Sequence, residues 1–178
     1  MLALTLGSVT TACQTTRRPV KPSWPVLEPA ELGQMPNVSV TAGIWAGGQP
    51  SLEDLALAQR RGVARVIALC TQAECAASGI AAACKELNLE WHSFGPEKEG
   101  PLPDDAVVRA LNLLADPNAP PTLLFCRDGS VTAMVLAVHR MVHEGVDEDQ
   151  ALMDARRGGL EAGAQEARVV DLAQRLGA

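Results

Sequence analysis

Tyrosine is absent from the 178 residues, which hold only two phenylalanines and three tryptophans. So few flat side chains exclude the stacking platforms that hold single-stranded nucleic acid, and they leave aliphatic residues to fill the core. Basic residues are also the minority: 15 Lys and Arg against 21 Asp and Glu give a formal net charge of −6. A broad cationic face for a nucleic-acid backbone is thereby excluded, and any anion site has to be local. No apolar run reaches the roughly 20 residues that a membrane-crossing helix needs. The five cysteines (Cys13, Cys70, Cys75, Cys84 and Cys126) form no Cys-x-x-Cys pair and no comb with histidines, so neither a structural zinc site nor another metal or cofactor is expected. What is present, 47% hydrophobic and 20% charged residues, describes one globular domain and excludes collagen, coiled coil and wholesale disorder.

Met1 to Ala12 is apolar or small throughout and leads to Cys13 and a polar stretch. Small residues at Thr11 and Ala12 before a cysteine resemble a bacterial lipoprotein processing site, although no Lys or Arg precedes them and Thr10 stands where a larger aliphatic residue is usual. The expectation is a signal-type segment over 1–13 with lipidation at Cys13. A Pro-rich tether over 14–37 (Pro19, Pro22, Pro25, Pro29, Pro36) follows, then an α/β domain over 38–178. The protein would then face the periplasm, touching a membrane through the lipid anchor only. A cytoplasmic chain with an unstructured tail is the other reading.

Within the folded part, alternation at Val38, Val40, Ala42 and Ile44 predicts one half-buried strand, ended by the turn Gly47-Gly48-Gln49-Pro50. Ser51 with Asp54 makes a capping box for a helix reaching Arg61 and stopping at Gly62. The apolar run Val63 to Leu69 predicts an interior parallel strand. A helix is expected over 76–87, a short strand over 89–94, a charged loop over 96–103 and a helix from Asp104. A buried strand over 122–125 and helices over 132–144, from Asp147 to Gly158 and over 165–176 complete the order. Alternating strands and helices predict an α/β fold, a single domain whose central, mostly parallel sheet is flanked by helices.

One junction carries chemistry. The strand Leu123-Leu124-Phe125 runs into Cys126-Arg127-Asp128-Gly129-Ser130 and then into a helix. Ligands of open α/β sheets sit at strand carboxyl ends, and a glycine-containing turn at a helix N-terminus aims amide N–H groups at an anion. A cysteine there is either a nucleophile beside an oxyanion cradle or a buried structural thiol.

The stretch resembles the phosphate loop of the protein-tyrosine and dual-specificity phosphatases, HCxxGxxR, and in particular the small bacterial phosphatase-like domains. The likeness runs from Val38 to about Leu160, through Gln49-Pro50-Ser51, Arg61-Gly62-Val63, Leu113 to Pro117 and Glu144-Gly145. It implies Cys126 as nucleophile and residues Arg127, Asp128, Gly129, Ser130, Val131 and Thr132 as the phosphate-binding loop, acting on a phosphorylated small molecule or phosphoprotein. Two features depart from the pattern. Phe125 replaces the family's His, and the position of its Arg is Thr132, or Val131 if the count is one shorter. A guanidinium forks two phosphoryl oxygens as charge builds, which neither residue can do, so a weak or inactive phosphatase (a pseudophosphatase) is expected. Arg127 is the nearest substitute. Glu97 is the general-acid candidate, with Glu99, Asp104 and Asp105 beside it. The loop also resembles a rhodanese-like sulfurtransferase, in which Cys126 would carry a persulfide. His139 and His143 stand at i, i+4 with no third ligand, and Cys75 and Cys84 are close enough in sequence to form a disulfide after export.

Overall fold

The computed structural model describes residues 24–177, so the segment 1–13 and its Cys13 lie outside the described residues. Two short strands open the fold, β1 (Glu28–Pro29) and β2 (Ser39–Thr41). β3 (Ile44–Gly47), α1 (Leu52–Arg60), β4 (Arg65–Ala68), α2 (Gln72–Ser78), α3 (Ile80–Glu86) and β5 (Glu90–Ser93) come next. The chain then forms α4 (Asp104–Leu114), β6 (Thr122–Phe125), α5 (Ser130–His143), α6 (Glu148–Arg157) and α7 (Ala164–Leu176).

The sheet order is β1-β2-β3-β6-β4-β5, with β3, β6, β4 and β5 mutually parallel and the hairpin β1–β2–β3 antiparallel. β6 therefore lies inside, between β3 and β4. Its register sets Gly47 beside Phe125 on one side and Ala68 beside Phe125 on the other, so three strands end together at Cys126. The pleat divides the apolar residues between two layers. Leu124 and Ile67 face α4, α5, α6 and α7, while Leu123, Phe125, Val66 and Ala68 face α1, α2 and α3. Full burial of Leu123, Leu124 and Phe125, worth about 2 kcal/mol each, anchors the strand that carries the loop.

Three expectations are corrected. The single strand over 38–44 is a hairpin, because Ala42 (φ 45°) and Gly43 (φ 83°) both take left-handed conformations and make a two-residue turn of the mirror-image kind. The helix over 76–87 is two helices broken at Gly79 (φ 72°), and the first begins earlier, at a Thr71–Glu74 capping box. The tether does not extend to 37. Leu32 and Met35 are buried in the α1–α3 layer, and β1 pairs with β2, so residues from Trp24 onward belong to the domain.

A buried polar cluster ties this first segment down. Arg140 of α5, 3% exposed, donates to Asp154 at 2.5 Å, to Glu144 at 3.3 Å and to the Pro25 carbonyl at 3.0 Å.

Candidate functional site

The loop after β6 is held from the β3 side. Cys126 N donates to Gly47 O at 3.3 Å, Gln49 N to Arg127 O at 3.1 Å, and Asn37 Nδ2 to Asp128 O at 2.8 Å. Gly129, at φ 100°, turns the chain into α5, and a Cβ there would sit 3.1 Å from Asn37 Cβ. The turn brings Gly129 N within 3.2 Å of Cys126 Sγ, so the amide aims its hydrogen at the sulfur. Cys126 itself is 3% exposed.

The loop also carries an anion of its own. One carboxylate oxygen of Asp128 accepts from Ser130 N at 2.9 Å and from Ser130 Oγ at 2.8 Å, and the same oxygen lies 3.7 Å from Cys126 Sγ. The Ser130 amide holds the Asp128 carboxyl below the ordinary range, so it is ionised at neutral pH. A donor that would serve a bound oxyanion is thus occupied from within.

A cleft of about 280 Å³ opens beside the loop, walled by Cys126, Ser130 and Val131 on one side and by Cys70 and Thr71 on the other. Its charged lining is Arg127 against Glu74, Glu99 and Asp128. Arg127 points to the rim, where its guanidinium binds the Glu74 carboxylate and lies 3.7 Å from Glu99. That guanidinium keeps the Glu74 carboxyl below its usual range. Of the two positions that correspond to the pattern's arginine, Val131 lines the cleft, whereas Thr132 is buried with its hydroxyl unpaired. Phe125 is directed away, into the α1–α3 layer, where its ring lies 6.2 Å from that of Trp91; it offers the loop no hydrogen bond.

The acid candidates separate. Glu99 lines the cleft, Glu97 is exposed in the same loop without lining it, Asp104 is ion-paired with Arg168 and Arg175, and Asp105 with Arg109. Cys70 is the buried thiol at a strand end that its place in the sequence implies, whereas Glu74 and Asn37 join the site without a motif of the loop to mark them. The Thr71-x-x-Glu74 capping pattern was the signal for the first of them. Cys75 faces Cys70 rather than Cys84. His139 and His143 stack at 5.2 Å, and among the described residues no three metal-ligating side chains gather.

No protein-family profile matches the sequence, and no curated protein matches it. Solved structures do. TpbA of P. aeruginosa superposes with a TM-score of 0.65 at 19% identity, covering 89% of this chain and 99% of that one. The kinase associated phosphatase KAP gives 0.68 at 14% identity over 88% and 98%. The core catalytic domain of the PP-IP phosphatase SIW14 from S. cerevisiae gives 0.62 at 18% identity over 82% and 86%.

The chain has the protein-tyrosine/dual-specificity phosphatase fold. Within that phosphatase fold Cys126 stands at the end of an interior parallel strand, before the helix-opening glycine, and Val131, not a guanidinium, lines the cleft at the start of α5. TpbA has been solved, as a cysteine-to-serine form, in complex with pTyr, and SIW14 in complex with citrate.

Proposed function

We propose that this protein is a phosphatase-fold binding protein: it takes the oxyanion of a phosphorylated small molecule or phosphoprotein at the Cys126 loop and turns it over slowly or not at all. The observation that carries the proposal is Val131 on the cleft wall, with Arg127 bound outward to Glu74. A positioned Arg in phosphoryl transfer is worth ~10³-fold or more, because it meets charge that appears only in the transition state. The Gly129 amide remains for the ground state, and binding without transition-state stabilisation gives affinity and little rate. The pTyr and citrate ligands of TpbA and SIW14 support an anionic ligand. In the same proposal Cys13 is lipidated and the domain sits at the periplasmic face of a bacterial membrane, supported by the apolar stretch 1–12 and the Thr11-Ala12-Cys13 junction. Mass spectrometry of the native N-terminus tests this, and an unmodified Met1 would rule it out.

The decisive assay is hydrolysis of p-nitrophenyl phosphate by the wild type and by Cys126→Ser, beside calorimetric binding of tungstate. A wild-type rate about 10³-fold or more below ordinary phosphatase rates, down to that of Cys126→Ser, is expected with measurable tungstate binding by the wild type. Turnover at ordinary phosphatase rates, abolished by Cys126→Ser, would overturn the proposal.

A further inference from the structure

On the wall of the cleft opposite the loop, Cys70 follows β4 and Cys75 lies on α2, and their sulfurs are 2.7 Å apart. Both thiols are free, and a disulfide needs about 2.05 Å, so a shift of less than about 1 Å between the two sulfurs closes the bond. Both side chains are buried and packed in the α1–α3 layer, which leaves them no other sulfur to approach without unpacking it. Cys84, fully buried in the same layer, has no sulfur beside it among the described residues, and burial pushes its thiol up to about 11.

We propose that Cys70 and Cys75 are a redox-active dithiol that closes to a disulfide in the cleft wall when it meets a low-molecular-weight disulfide. Cys70 lines the cleft and is the sulfur that the reagent reaches. The Cys70 thiol passes its proton to the Cys75 thiolate in contact with it and attacks, and one reagent sulfur leaves as a thiolate. Cys75 then attacks the Cys70 sulfur of the mixed disulfide, expels the second reagent thiolate and loses its own proton. The chain gives up two electrons, the reagent takes them up as two thiols, and one S–S bond replaces another. The hydrogen bond from Cys70 holds the Cys75 thiol below its ordinary value against the opposing effect of burial, and the same contact raises the Cys70 thiol, so Cys75 is the thiolate of the resting pair and the base that takes up the Cys70 proton.

The link fastens the end of β4 to the first turns of α2. Glu74, the neighbour of Cys75, binds Arg127 at the rim of the cleft, so the link also fastens the carboxylate that holds this guanidinium.

The experiment treats the folded full chain with oxidised glutathione, blocks the remaining thiols and digests with trypsin. Arg65 and Lys85 bound one peptide, 66–85, that contains Cys70, Cys75 and Cys84. Closure of a disulfide within it lowers its mass by about 2 Da. Cleavage after Glu74 then leaves 66–74 joined to 75–85. The link is expected in the wild type and in Cys84→Ser and absent in Cys75→Ser, with a melting temperature several degrees higher for the oxidised wild type. Separate fragments carrying blocked thiols would overturn the proposal. So would a link that disappears in Cys84→Ser, or one joining 66–74 to the Cys126 peptide 110–127.

Discussion

Replacing Asp128 by Asn tests whether the loop's own carboxylate competes with a ligand. The side-chain oxygen that accepts from Ser130 N and Ser130 Oγ survives in Asn, so the hydrogen bonds to the first residue of α5 are kept while the charge is removed. An anion seated over Cys126 Sγ lies about 4 Å from that oxygen, where two unit charges repel by about 4 kcal/mol at an effective dielectric of 20. Asp128 is exposed, and solvent screening cuts this to about 1 kcal/mol. Tungstate affinity in Asp128→Asn is therefore expected to rise about fivefold, with stability changed by less than about 0.5 kcal/mol. Asp128→Ala should show the same gain with a loss of about 1 kcal/mol, since the hydrogen bonds to Ser130 go as well. Calorimetric titration of each variant, beside urea unfolding, reads both quantities. Unchanged or weaker tungstate binding in Asp128→Asn would show that the carboxylate does not oppose the ligand and that the cleft recognises something other than an oxyanion.

Phe125→Ala removes a fully buried ring from the α1–α3 layer and should cost about 3–5 kcal/mol in chemical denaturation without altering aryl phosphate hydrolysis, because the ring does not face the cleft. Asp154→Ala leaves Arg140 buried with fewer carboxylate partners, and a loss of about 3–5 kcal/mol is expected by the same assay; a loss under 1 kcal/mol would show that Glu144 suffices. His139, buried beside His143 and Arg140, is lowered to about 4, first by burial. The folded chain thus binds fewer protons there than the unfolded chain between pH 6.5 and 4, and stability contributed above pH 6.5 is lost progressively as pH falls through that window, by about 3 kcal/mol in all. A flatter profile in His139→Gln checks the assignment.

The order of the interior strands and the helices after them and the cysteine loop were legible because each rests on local chemistry: continuous apolar runs, a capping box at Ser51, an N-cap at Asp147, and a glycine at a strand-to-helix turn. Ala42-Gly43 misled because alternation continues across a two-residue turn, and an alanine with positive φ gives no warning of one. Gly79 was hidden by alanines on both sides that favour an unbroken helix. Leu32 and Met35 lay in a stretch whose prolines dominate its composition, although a handful of apolar residues is enough to seal a layer. The Glu74–Arg127 pair spans 53 residues and depends on how β4 and β6 lie side by side, which no spacing in the sequence records. The choice between Val131 and Thr132 likewise needed the helix phase at the start of α5.

The attachment of the first described residues bears on how this domain would respond to mechanical load. A pull applied at Trp24 meets the Arg140–Pro25 hydrogen bond first and then the two-residue pairing of β1 with the sheet. These contacts open one after another as the chain peels from an edge. β2 and β3 still separate the pull from β6, so an early yield at the edge would act as a mechanical fuse, releasing the chain from Trp24 through β1 while the cysteine loop keeps its shape.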